Sequence, residues 1–181
     1  KNVKCFDLIL HKNEYIYVCD NEKHEVRRWK IGEYRNQGVL VAGGNGCGNQ
    51  LNQLNSPRFI CIDQDDSLYV SDFGNHRVMK WIRGAKQGII VAGGQGEGNG
   101  LNQLYGPQGI FVDRLRTLYI ADADNNRIVR WIKDAKQGTT IVDGNQSNQL
   151  KYPVGLSFDD EYNLYVVDRN NHRIQKFIVD N

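Results

Sequence analysis

Three recurring sets of residues in this 181-residue chain are of the types that do chemistry. The glycine-rich stretches VAGGNGCGN, from Val41, and VAGGQGEGN, from Val91, could be a backbone cradle for phosphate. Such a cradle follows a buried strand, opens a helix and carries a lysine or a later acidic ribose partner. No Gly-Lys-Ser/Thr follows here, and the stretch returns a third time as IVDGNQS from Ile141, at intervals of 91 − 41 = 50 and 141 − 91 = 50 residues. A fixed period of about 50 marks repeated supersecondary units. The glycines therefore read as turn residues at positive φ, not as a nucleotide site.

His24, His76 and His172 share one slot of the repeat, and imidazoles invite zinc. A tetrahedral site gathers its nitrogens about 2.0 to 2.1 Å from one ion, whereas equivalent positions on successive units diverge. They are expected to be turn residues that hydrogen-bond local backbone. Asp72 with Arg77, Asp122 with Arg127 and Asp168 with Arg173 are spaced to face each other across a hairpin, which points to structural pairs. The adjacent carboxylates Asp65-Asp66 and Asp159-Asp160 fall where a first hairpin would turn, and turn formation explains them. The cysteines, Cys5, Cys19, Cys47 and Cys61, form no Cys-x-x-Cys pair, so a zinc site is not expected. Free thiols are the favoured reading. One or two disulfides would require an oxidising compartment, toward which the sequon Asn145-Gln146-Ser147 also leans. No set combines a nucleophile, a base and an orienter. No catalytic, metal or cofactor residue is assigned, and a non-enzyme is expected.

The elements that carry these residues emerge when the chain is aligned on its aspartates. IYVCD ends at Asp20, LYVSD at Asp72, LYIAD at Asp122 and LYVVD at Asp168. A second aspartate precedes the last three by nine residues, at Asp63, Asp113 and Asp159. Each unit holds short runs rich in Val, Ile, Tyr and Trp between Gly, Asn and Asp turns, which predicts four antiparallel strands and an all-β fold. The three prolines, at 57, 107 and 153, each begin a unit's first strand, where a missing amide donor does least harm. Trp29, Trp81, Trp131 and Phe177 keep one aromatic slot filled on the third strand. Ile60 with Ile62, Ile110 with Val112, and Leu156 with Phe158 are expected to pack between units around a central axis. Burying one such side chain stabilises by about 1.5 to 3 kcal/mol, against about 0 to 1 for an exposed ion pair, so apolar faces are expected to hold the array together.

Pro-x-Gly-apolar strand, Leu-Tyr-Val-x-Asp and Asn-His-Arg-apolar, in that order, resemble the NHL repeat, which builds β-propellers that usually have six blades. Asn75-His76-Arg77 and Asn171-His172-Arg173 carry the resemblance best, and Asn126-Arg127 carries part of it. It covers all four units, with approximate bounds 1–48, 49–98, 99–146 and 147–181, the last without its outer strand. The tandem GGNGxGNxLNQL spacers are also similar to those of invertebrate extracellular members, rotifer ones in particular. The first unit departs from the pattern at Glu25, where arginine is expected, and at Cys5, where proline is expected. The chain begins at Lys1, and the resemblance implies about two further blades upstream. A four-bladed ring is the alternative. Either way, the fourth blade's outer edge is expected to be unpaired and open to self-association.

In such a propeller the loops joining second to third strands share a face with those joining one unit to the next. That candidate binding face carries Lys23, His24, Phe73, Asn75, His76, Asp124, Asn125, Arg169, Asn170 and His172, with spacer amides at Asn52, Gln53, Asn102, Gln103, Asn148 and Gln149. Its amides and imidazoles suit a protein, peptide or glycan partner. The family also includes RNA-binding propellers and the peptide-amidating lyase. The net charge of +2 argues against nucleic acid, and the lyase's zinc ligands have no counterpart residue by residue. Arg83, Lys86, Lys133 and Lys136, after the third strands, are expected to be a solvated rim. No apolar run approaches the roughly 18 residues of a membrane span.

Overall fold

A computed structural model describes residues 3–33, 36–143 and 149–179. The sequon at Asn145 to Ser147 and the spacer amide Asn148 lie outside the described residues. The chain builds four antiparallel sheets in sequence order. The first contains β1 (Cys5–His11), β2 (Tyr15–Asp20), β3 (Glu25–Lys30) and β4 (Val39–Gly43); the second contains β5 (Pro57–Ile62), β6 (Leu68–Asp72), β7 (Arg77–Trp81) and β8 (Ile89–Gly93). The third contains β9 (Pro107–Val112), β10 (Leu118–Asp122), β11 (Arg127–Trp131) and β12 (Thr139–Val142). The fourth has three strands among the described residues, β13 (Pro153–Phe158), β14 (Asn163–Asp168) and β15 (Arg173–Ile178). Single 3-10 turns at Phe73–Asn75, Ala123–Asn125 and Arg169–Asn171 link second to third strands. No helix is long and apolar enough to cross a membrane.

The sheets are propeller blades. Inner strand β5 packs against β1 and β9, and β9 against β13, so the first strands surround a common axis. In the second, third and fourth blades the first hairpin is shaped by the recurring aspartate that precedes it. Asp63 Oδ1 accepts from the amides of Asp65 and Ser67, Asp113 Oδ1 from Leu115 and Thr117, and Asp159 Oδ1 from Glu161 and Asn163. These bonds hold a turn whose fourth residue is left-handed, with φ of 60° at Asp66, 65° at Arg116 and 61° at Tyr162.

Three apolar clusters fill the gaps between successive blades. Ile60 and Ile110 are buried, while Ile62, Val112, Leu156 and Phe158 pack beside them partly buried, as the first-strand pattern requires. β6 and β10 are buried at every position because blades cover both of their faces. Trp81 and Trp131 are buried; Trp29 and Phe177, on the first and last blades, are half-buried. All four cysteines are free thiols. Cys19 fills a fully buried slot of the first cluster, and burial pushes its thiol pKa up.

The Asp72–Arg77 and Asp122–Arg127 pairs are not the exposed bridges that their spacing suggests, whereas Arg173, paired with the buried Asp168 on the last blade, is exposed. Asp72 is 0% exposed and Arg77 4%, because the long connection into the second blade folds down over the pair, as the connection into the third does over Asp122 and Arg127. In the first blade Lys23 takes the carboxylate of Asp20 at 2.6 Å, and Arg27 takes that of Glu25 at 2.7 Å. The departure at Glu25 is thus compensated within the same hairpin.

Candidate functional site

An antiparallel sheet read from inside to outside puts the loops between second and third strands at the same end as the connections between blades. At that end the second, third and fourth blades repeat one clamp. Asp72 Oδ1 accepts from the Asn55 amide at 2.6 Å, and Oδ2 accepts from Asn75 Nδ2 at 2.8 Å and Arg77 Nε at 2.7 Å. The remaining Arg77 nitrogens donate to the carbonyls of Asn49, Gln50 and Gln53. Asp122 with Asn125 and Arg127, and Asp168 with Asn171 and Arg173, repeat the arrangement. Burial raises the pKa of Asp72 and Asp122 above the ordinary carboxylate range despite these donors. At Asp168 the same desolvation is outweighed by hydrogen bonds from Asn171 and Arg173, and the pKa is lowered.

His24 and His76 join blades instead of bonding local backbone. Each 3-10 turn ends on a left-handed residue, His76, Asn126 or His172. His76 Nδ1 accepts from the Gly106 amide of the next blade at 3.2 Å, as His24 Nδ1 does from Ser56 at 3.0 Å and Asn126 Oδ1 from Tyr152 at 2.8 Å. An Nδ1 that accepts leaves the ring proton on Nε2. His76→Asn should therefore change stability by no more than about 0.5 kcal/mol, since Asn126 already fills this role and tolerates positive φ. His76→Ala orphans the Gly106 amide and should cost about 1 to 3 kcal/mol in urea denaturation. Equal effects of the two substitutions would sink the clasp assignment.

Five of the ten candidate face residues are thus occupied: Lys23 holds Asp20, His24 and His76 clasp the following blade, and Asn75 and Asn125 complete clamps. The spacer amides Gln53 and Gln103 turn inward, donating to the carbonyl of Asn45 and to those of Gln95 and Glu97. Gln149, by contrast, is exposed. Asn170 and His172 are also exposed and sit on the last blade. Phe73, Asp124 and Arg169 remain, and they surround residues that the repeat pattern did not single out.

Arg58 and Gln108, each second on its blade's inner strand, converge on Tyr152, which precedes the inner strand of the fourth blade. The Tyr152 hydroxyl accepts from Arg58 Nη1 at 3.4 Å and from Gln108 Nε2 at 3.1 Å. The Arg58 guanidinium carbon lies 3.3 Å from the centroid of Phe73 and 5.3 Å from that of Phe6, and Arg169 stacks 5.6 Å over Tyr152. Gln108 is only 1% exposed, and its Oε1, like Arg58 Nε, has no hydrogen-bond partner among the described residues. Asp124 stands nearby; desolvation raises its pKa against the opposing charge of Arg58. Together these groups make a mouth that can donate from arginine and tyrosine, accept through an amide oxygen, and stack. No group of three or more His, Cys, Asp or Glu is placed to hold a metal among the described residues.

The NHL-repeat model matches residues 54–81 and 150–177, the second and fourth units. No curated protein matches the sequence. Among solved structures, the chain is similar to one of a nidogen/laminin complex, at 21% identity and a TM-score of 0.69 over 97% of this chain and 58% of that one. It is similar to an auxiliary nutrient binding protein from Bacteroides thetaiotaomicron, at 17% identity and a TM-score of 0.68 over 91% and 45%. It is also similar to virginiamycin B lyase from Staphylococcus aureus, at 12% identity and a TM-score of 0.59 over 97% and 55%. The chain spans about half the length of these structures. With two matched NHL repeats, two more units in the same register, and blades packed through their inner strands, the chain is an array of NHL-type repeats folded as β-propeller blades.

Proposed function

We propose that the chain is a non-catalytic recognition module that takes a protein, peptide or glycan partner at the mouth formed by Arg58, Phe73, Gln108, Asp124, Tyr152 and Arg169. The observation that carries this reading is the convergence of Arg58 and Gln108 on Tyr152 with two buried polar atoms left unpaired. A buried unpaired group costs about 1 to 3 kcal/mol, and a bound partner that supplies the missing bond recovers it. The fold does not choose the function: the similar structures are titled as a protein complex, a nutrient binding protein and a lyase. The mouth suits a partner that presents an acceptor beside a donor together with a flat surface to stack.

The test is a screen of peptide and glycan arrays with the wild-type chain and with Arg58→Ala/Arg169→Ala. Binders of the wild type should weaken by about tenfold or more in the variant, with an unchanged thermal transition. Binders unaffected by the double substitution would place recognition elsewhere.

A further inference from the structure

A groove of about 630 Å³ lies between the first and second blades, away from the mouth. One wall is β4, and all five of its residues, Val39 to Gly43, line the groove. Successive side chains of a strand point to opposite faces, so a wall built from consecutive residues is the strand's edge. β4 ends its sheet, so this edge is open. The floor is the buried trio Tyr17, Leu68 and Trp81.

The facing wall is the segment after β7, with Ile82 60% exposed and Arg83 and Lys86 also exposed. Arg28 closes one end, stacked 4.5 Å over Tyr15. Asp66, the one carboxylate lining the groove, is already engaged by His11 at 2.9 Å, Lys12 at 2.5 Å and Arg83 at 3.5 Å. Arg28, Arg83 and Lys86 line the groove against this single, already engaged carboxylate, which leaves the groove electropositive.

We propose that this groove receives an extended acidic segment of a partner protein, with acidic and apolar residues alternating, as a fifth strand on the first blade. The open edge of β4 supplies main-chain hydrogen bonds. Apolar side chains of the segment enter over Leu68, Trp81 and Ile82, and its carboxylates reach Arg83 and Lys86. Five paired residues span about 16 Å at about 3.3 Å per residue.

The probe is a capped octapeptide of four Glu-Leu repeats, titrated calorimetrically into the chain. Two control peptides carry Lys for every Glu, or Pro for a central Leu. Arg83→Glu/Lys86→Glu changes only exposed side chains, and an unchanged thermal transition checks its fold. Saturable binding should weaken by about tenfold or more in this variant, and as much with the Lys peptide. The Pro peptide should also weaken, since it removes a ladder donor. Equal affinity for the variant or the Lys peptide overturns the charge assignment, and an undiminished Pro peptide overturns the edge pairing. No binding of the Glu-Leu peptide at millimolar concentration overturns the whole. Sedimentation that shows a dimer abolished by Arg83→Glu/Lys86→Glu would assign the groove to a second copy of the chain instead.

Discussion

Arg127→Ala should lower the stability of the chain by about 3 to 5 kcal/mol at neutral pH, the range expected when one partner of a buried ion pair is removed. Arg127 donates through Nε to Asp122 at 2.7 Å, and its other nitrogens reach the carbonyls of Asn99, Gly100 and Gln103. Alanine leaves the fully buried carboxylate of Asp122 without its counter-charge and three loop carbonyls without their donor. The pH dependence identifies the cause. Burial already raises the Asp122 pKa, and losing the guanidinium raises it further. The folded variant therefore takes up a proton on acidification, and its deficit relative to wild type should shrink as the pH falls toward the carboxylate range. Arg127→Met/Asp122→Asn, which removes both charges, should recover part of the loss at neutral pH. Urea denaturation at several pH values measures all of this. A loss under about 1 kcal/mol, or a deficit that does not change with pH, would show that the pair is not the clamp described.

Leu104→Ala should cost about 2 to 5 kcal/mol, while Leu101→Ala, three residues earlier in the same LNQL spacer, should stay within about 0.5 kcal/mol. Leu104 is fully buried and packs into the apolar cluster between the second and third blades, whereas Leu101 is 49% exposed and serves through its carbonyl, which accepts from the Gly138 amide. Leu54 and Leu150 are plugs at the corresponding positions. The spacer is thus a structural part of the core as well as a connection. Comparable losses for the two leucines in denaturant titrations would contradict this division of roles.

The strands, their antiparallel order and the apolar contacts between blades were legible because they rest on properties that every unit shares. A proline at the start of each inner strand, an alternating run and an aromatic on the third strand recur at a period that sequence displays directly. Burial of the aspartate and arginine clamps was not legible, since it depends on the path of a spacer whose composition is that of a solvated loop. His24 and His76 lay in the expected turns, but the amide each one meets belongs to another blade, about thirty residues downstream. Arg58, Gln108 and Tyr152 were missed for a different reason. Alignment of repeats highlights positions that agree, and these positions differ from unit to unit: Arg58 and Gln108 stand where the fourth unit has Val154, and Tyr152 stands where earlier units have Ser56 and Gly106. A unique site on a pseudo-symmetric scaffold is built from the positions where the symmetry breaks.

The clasp between blades also has a direction. In each instance the acceptor, His24, His76 or Asn126, precedes its donor in the chain. A polypeptide leaving the ribosome therefore finishes the socket before it makes the peg. Every newly emerged blade finds its docking point already in place on the one before it, an order of assembly that shortens the time any apolar blade face spends uncovered.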